Sequence, residues 1–181
     1  VEHISHGESE KLKVGARIFQ GDTLITSADS YAKIVMSDRN VLSISADSKV
    51  TINKYENDAK VGIKNVELQL ENGSLRCDVK EKYDTDKNKF QVKTQTVIAG
   101  VRGTDFLVSH DSTATTSEVT TFKGIVSVQA IKENVATGEQ VMVKAGQTTK
   151  VDSKLVPEKP ANLYKKDLSN ISVNNALKIL T

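Results

Sequence analysis

The stretch Val66–Val79, VELQLENGSLRCDV, alternates apolar and polar residues on both sides of Asn72-Gly73. A period of two is the mark of a strand with one buried face, and Asn-Gly is the dipeptide that most readily enters the left-handed backbone of a type I′ turn. With such a turn, residues whose numbers sum to 145 face one another: Leu70 with Leu75, Leu68 with Cys77, Val66 with Val79. All six then share one face, and Glu67, Gln69, Glu71, Ser74, Arg76 and Asp78 take the other. The stretch therefore predicts a β-hairpin with Cys77 in the core.

Working outward, the same alternation runs from Ile18 to about Val156, broken at short intervals by Gly, Asn or Asp. That spacing predicts an all-β domain, either a twisted β-sandwich or a short β-solenoid-like stack, because antiparallel hairpins and parallel coils both alternate. A second hairpin is expected at Asp38-Arg39-Asn40, with Asn40 left-handed and Met36 opposite Leu42, Ile34 opposite Ile44 and Ala32 opposite Ala46. A third is expected at Lys123-Gly124, setting Val119 against Val128 and Thr121 against Val126, with Phe122 and Ile125 on the reverse face. Both prolines, Pro157 and Pro160, follow the sheet region. The expected organisation is a β domain over residues 1–156, then a proline-containing linker and a short amphipathic helix over 157–181, capped by Ser172 and carrying Val173, Ala176, Leu177 and Leu180 on one face.

Composition narrows the function. Across 181 residues, 25 Lys and Arg balance 23 Asp and Glu to a net charge of +2, which supplies no field to hold nucleic acid. No apolar run is long enough for a transmembrane segment, and Val1 opens without a basic n-region or an apolar h-region, which leaves a cytosolic protein or one whose signal sequence has been removed. The single Cys77 forms no internal disulfide. Four Phe, four Tyr and no Trp make an exposed aromatic platform for glycans hard to build, so glycan binding is less favoured than a protein partner.

A second stretch, Ala99-Gly100-Val101-Arg102-Gly103-Thr104-Asp105-Phe106, places an arginine between two glycines. The G-x-x-G loop of nucleic-acid-binding KH domains joins helices, whereas the flanks here are strand-like, and a phosphate loop needs a lysine that this turn lacks. Val101–Phe106 resembles the central signature of the FecR domain. Gly21-Asp22-Thr23-Leu24-Ile25-Thr26 is similar to that family's early G-D-x-I-x-T stretch, Lys123-Gly124-Ile125-Val126-Ser127-Val128 to its G-x-V-x-V strand, and Ala145-Gly146-Gln147 to its closing turn. The resemblance covers residues 12–151 with four motifs in order. It implies a non-catalytic all-β module of the bacterial envelope, periplasmic or otherwise extracytoplasmic, that contacts proteins and takes part in signal transduction. In the full regulators such a module follows a cytoplasmic anti-sigma segment and a membrane helix, neither of which is recognisable in these residues. Within the signature Gly100, Val101, Arg102, Gly103, Thr104, Asp105 and Phe106 have a structural or partner-binding role, and Arg102 is expected to tie down its turn by binding turn carbonyls and Asp105.

Other candidate sites read as ordinary. Asp84-Thr85-Asp86-Lys87-Asn88 imitates the start of a calcium loop, but Lys89 and Gln95 stand where glycine and a bidentate glutamate would be needed. His3 and His6 lie near one terminus without a third metal ligand. His110 borders a polar stretch that reads as a solvated loop, and the only thiol is expected in the core, so neither catalysis nor a cofactor is implied. A protein-interaction module of the envelope is the leading expectation, ahead of a structural spacer or a cell-wall glycan-binding domain.

Overall fold

The computed structural model describes residues 1–58, 60–80, 83 and 88–163. The described residues hold fifteen strands: β1 (Glu2–Ser5), β2 (Glu8–Lys11), β3 (Thr23–Ile25), β4 (Ala32–Val35), β5 (Val41–Ile44), β6 (Lys49–Asp58), β7 (Ile63–Asp78) and β8 (Asn88–Lys93), then β9 (Val97–Val101), β10 (Asp105–Asp111), β11 (Thr116–Lys123), β12 (Ile125–Lys132), β13 (Val135–Lys144), β14 (Gln147–Val151) and β15 (Ala161–Asn162). No helix occurs among them. The expected helix from Ser172 lies outside the described residues.

The Val66–Val79 stretch is not a hairpin. β7 runs unbroken through Asn72-Gly73 and belongs to two sheets. Its first half pairs with β6, setting Leu68 opposite Ile52 and Leu70 opposite Val50, and runs parallel to β8. Its second half pairs with β5 and β10, setting Leu75 between Ile44 and Val108, and Cys77 between Leu42 and Phe106. Gly73 does adopt the left-handed backbone, φ 91°, but uses it to bend the strand. Ser48 holds the bend: its hydroxyl accepts the Ser74 N–H at 2.9 Å, and a Cβ on Gly73 would lie 2.6 Å from the Ser48 Cα. Long-range ladders on both edges outweigh one local turn. The bend moves the inward face from even to odd positions, so Val66, Leu68, Leu70, Leu75, Cys77 and Val79 are all buried although none faces its expected partner.

The second hairpin forms with its register moved by two. Ala32 faces Ile44, Ile34 faces Leu42, and the Met36 N–H donates to the Asn40 carbonyl at 2.9 Å. The left-handed residue is Arg39, φ 65°, rather than Asn40. Asn40 is fully buried, donating to the Asp38 carboxylate at 2.8 Å and the Tyr83 hydroxyl at 2.9 Å while accepting the Lys80 N–H at 2.9 Å. These distant partners fix the turn. The third hairpin does not form: β11 lies between β10 and β14, and β12 lies between β9 and β13, so the chain crosses from one sheet to the other at Gly124, φ 82°.

One sheet has the order β2-β1-β3-β6-β7-β8-β9-β12-β13 and the other β4-β5-β7-β10-β11-β14-β15. Their inner faces enclose one aliphatic core. Phe90 of the first sheet meets Phe106 of the second edge to face, with centroids 6.4 Å apart. Every ladder between the described strands is antiparallel except β7–β8, which makes the fold a twisted sandwich and not a stack of parallel coils. After Pro157 the chain stays on the sheet: the Glu158 N–H donates to the Lys150 carbonyl at 2.9 Å and β15 extends β14.

Candidate functional site

Three of the four motif stretches meet at one corner of the sandwich. Val101 and Phe106 flank the turn and are buried in the core, while Gly103 takes a φ of 94° between them. The Thr104 carbonyl accepts the Val79 N–H at 2.8 Å. Gly124 lies directly against this turn; a Cβ there would come within 2.6 Å of the Thr104 methyl and 3.0 Å of the Gly103 carbonyl oxygen, so only glycine fits the crossing. The Ala145 N–H in turn donates to the Gly124 carbonyl at 3.0 Å. The remaining motif builds another corner: Asp22 is buried and accepts the Phe19 N–H at 2.8 Å, and Thr26 donates its hydroxyl to the Ser45 carbonyl at 2.6 Å.

Arg102 does not fasten this turn. Asp105 is clasped by Arg76 from the neighbouring strand, Nε to Oδ1 at 2.9 Å and Nη2 to Oδ2 at 2.7 Å, with the Arg76 guanidinium 4.7 Å over the Phe122 ring. Register explains the choice: Asp105 lies opposite Asp78 and Leu107 opposite Arg76, so Arg76 reaches Asp105 along the cross-strand diagonal. Hydrogen bonding to Asp105 holds the guanidinium of Arg76 above its ordinary pKa. The Arg102 side chain is exposed and makes no hydrogen bond or ion pair among the described residues.

The histidines separate. His3 is buried on β1, its Nε2 2.8 Å from the Asp22 carboxylate and its Nδ1 3.3 Å from Glu10, whereas His6 is exposed. Burial pulls the His3 pKa down, but hydrogen bonds to Asp22 and Glu10 outweigh it and leave the imidazole above its usual value. His110 borders an exposed turn, residues 112–115, as expected, but its own side chain is buried within β10, and burial lowers its pKa. Its Nδ1 is 3.0 Å from the Ser117 hydroxyl, which also meets Thr94 and Thr96 at 2.7 Å each. A serine so buried and so fully engaged is a polar knot inside the sandwich, without access for a substrate. Among the described residues no three His, Cys, Asp or Glu side chains gather at a point that would hold a metal. Most of the calcium-like stretch, 84–87, lies outside the described residues.

The surface feature that the sequence reading missed is an open groove of about 740 Å³ between β4 and the segment 12–19, floored by Ile52 and Tyr55 of β6. Val14, Phe19, Tyr31 and Val35 line it and are all exposed, the last three at 58%, 64% and 67%. Apolar side chains scattered singly are ordinary on a surface, but four gathered in one concavity make it the candidate binding site. Its lining also holds Lys13, Arg17 and Lys33 and no acidic residue. The sequence signal was present but unread: in β4 the alternation places Ala32, Ile34 and Met36 inward, which leaves Tyr31 and Val35 as large apolar residues on the outward face.

A family model described as FecR protein matches residues 22–127. Two crystal structures of a candidate anti-sigma factor from Parabacteroides distasonis ATCC 8503 share the fold, each with a TM-score of 0.61 and 15% identity, over 83% and 81% of this chain. This chain spans 64% and 62% of the length of those two chains. No curated protein sequence matches it.

Proposed function

We propose, from the premise that this chain belongs to the FecR family, that it is a non-catalytic protein-interaction module of a signalling system, working on the outer side of the cytoplasmic membrane. The signature turn Gly100–Phe106 then has a structural role, building the corner where the chain changes sheets, with Arg102 left facing outward. The partner contact is the groove between β4 and residues 12–19. The observation that carries this reading is the gathering of Phe19, Tyr31 and Val35, each more than half exposed, in one concave apolar site whose charged side chains are all cationic. A spacer domain has no use for such a cleft, and a glycan site would present its aromatics as a flat platform.

The test is a photo-crosslinking residue placed at Val35 of the full-length protein in its native envelope. A discrete adduct with one envelope protein is expected, and that protein, once purified, should bind the parent chain and lose binding to Phe19→Asp. No adduct at Val35, or equal binding by a Phe19→Asp variant that melts like the parent, overturns the reading.

A further inference from the structure

We propose that the groove takes an extended, acidic segment of its protein partner as an additional strand on the free edge of β4. This deepens the partner-binding reading and rests on it. β4 pairs with β5 along one edge and with no other described strand. The hydrogen bond from the Met36 N–H to the Asn40 carbonyl sets the alternation of that ladder. Ile34 and Ala32 lie in phase with Met36 and direct their backbone groups to β5, so Lys33 and Val35 direct theirs outward. The edge thus offers two N–H donors and two carbonyl acceptors, spaced at about 6.8 Å as a strand requires.

The shape of the groove matches this edge. Residues 31–37 line it without a gap. Side chains along a strand alternate between faces, so a cavity on one face would touch every second residue; only a cavity running along the edge touches them all. The opposite wall, residues 12–19, is also continuous and brings Val14, Ile18 and Phe19. An occupant between these walls is extended and apolar at alternate positions, which is the mode of strand addition to a sheet edge.

Charge selects what lies between those apolar positions. Lys13, Arg17 and Lys33 are the charged side chains of the lining, all of one sign, and they favour carboxylates on the occupant. A second copy of this chain is disfavoured for the same reason, since pairing β4 with its own copy brings two Lys33 ammonium groups and two cationic grooves together. Lys33 on an edge strand is a common guard against indiscriminate pairing. Here it leaves the edge open to a strand of complementary charge.

The experiment follows backbone amide resonances of the isotope-labelled chain during titration with a capped peptide of alternating valine and glutamate, about eight residues long. Saturable shifts confined to residues 12–19 and 31–37 are expected, with Lys33→Glu weakening binding about tenfold and a lysine-for-glutamate peptide failing to bind. Two N-methylated peptides give the decisive reading. A strand uses alternate amides on its two edges, so methylation in one register should abolish binding and in the other should leave it unchanged. Equal behaviour of the two registers, shifts outside the groove, concentration-dependent shifts without peptide, or no shifts at millimolar peptide each overturn strand addition. Retention of the Val35 adduct in any of these cases leaves the partner-binding reading standing.

Discussion

The Arg76–Asp105 clasp makes a measurable claim about which arginine supports the signature turn. Asp105→Ala removes two charge-assisted hydrogen bonds, at 2.9 and 2.7 Å, and strands a guanidinium whose side chain is only 14% exposed. Its Nη1 is already buried without an acceptor, and the Phe122 ring compensates weakly. Breaking a fully buried pair costs roughly 3–5 kcal/mol; with Asp105 at 20% exposure some water reaches the site, which puts the expected cost near the low end, about 3 kcal/mol. For a urea slope of about 2 kcal/mol/M, the unfolding midpoint should fall by about 1.5 M. Arg102→Ala deletes an exposed side chain that makes no hydrogen bond or ion pair among the described residues and should move stability by less than about 0.5 kcal/mol, or about 0.25 M in midpoint. Urea titrations of the three proteins decide the matter. A neutral Asp105→Ala, or an Arg102→Ala as damaging as Asp105→Ala, would refute the assignment of the turn's support to Arg76.

Cys77 is fully buried and its thiol is pushed well above the ordinary range by burial, so a thiol reagent should modify it slowly in the native protein and rapidly in denaturant; fast native labelling contradicts its place between Leu42 and Phe106. The buried His3–Asp22 pair should make stability depend on pH in a defined sense. Burial raises the Asp22 pKa, but hydrogen bonds from Ser5, the Phe19 N–H and His3 more than offset it and leave it lowered, whereas that of His3 is raised. The Asp22 contribution is therefore present above its unfolded pKa of about 3.9 and lost as pH falls through the lowered folded value. The His3 contribution is full below its unfolded pKa of about 6.5 and lost as pH rises through the raised folded value. Buried His110, its pKa lowered by burial, adds a contribution of the opposite sign that is complete above about 6.5. The His3 effect is therefore read as the difference in urea midpoint between the parent and His3→Gln, which should shrink as pH rises through the folded His3 pKa; a difference that does not change with pH rejects the pair as its source.

What was legible along the chain was the direction of side chains, and what was not was the identity of their neighbours. Alternation is a local property, so the inward face of 66–79 could be read from those residues alone. Pairing is a contest between the local turn and every other strand, and Ile44 and Val108 win Leu75 from Leu70 without any trace in the stretch itself. The shift by two at Met36–Asn40 was invisible for a related reason: it preserves which residues face inward, and only the contacts of Asn40 with Tyr83 and Lys80 distinguish the registers. Arg102 was misassigned because Asp105 is near in sequence, whereas the diagonal neighbour across the ladder is Arg76. Fold class and the four motifs were legible because both are short-range patterns.

The motifs that identify the family are occupied by the fold, and this bears on where the partner is chosen. Gly103, Thr104, Gly124 and Ala145 are packed against one another, and Asp105 is engaged by Arg76, so substitutions among them act first on the sandwich. The groove is assembled differently. Its sheet edge, residues 31–37, lies within the family match at 22–127, but the opposing wall, residues 12–19, precedes it. In the proposed binding mode the edge supplies backbone groups, which recognise an extended chain whatever its sequence, together with Lys33, and the wall supplies Lys13, Val14, Arg17 and Phe19; these side chains discriminate by charge and shape. The side chains that would choose the partner, Lys33 and those of the wall, are thus separate from the motifs that identify the family, which is why those motifs disclose so little about what it binds.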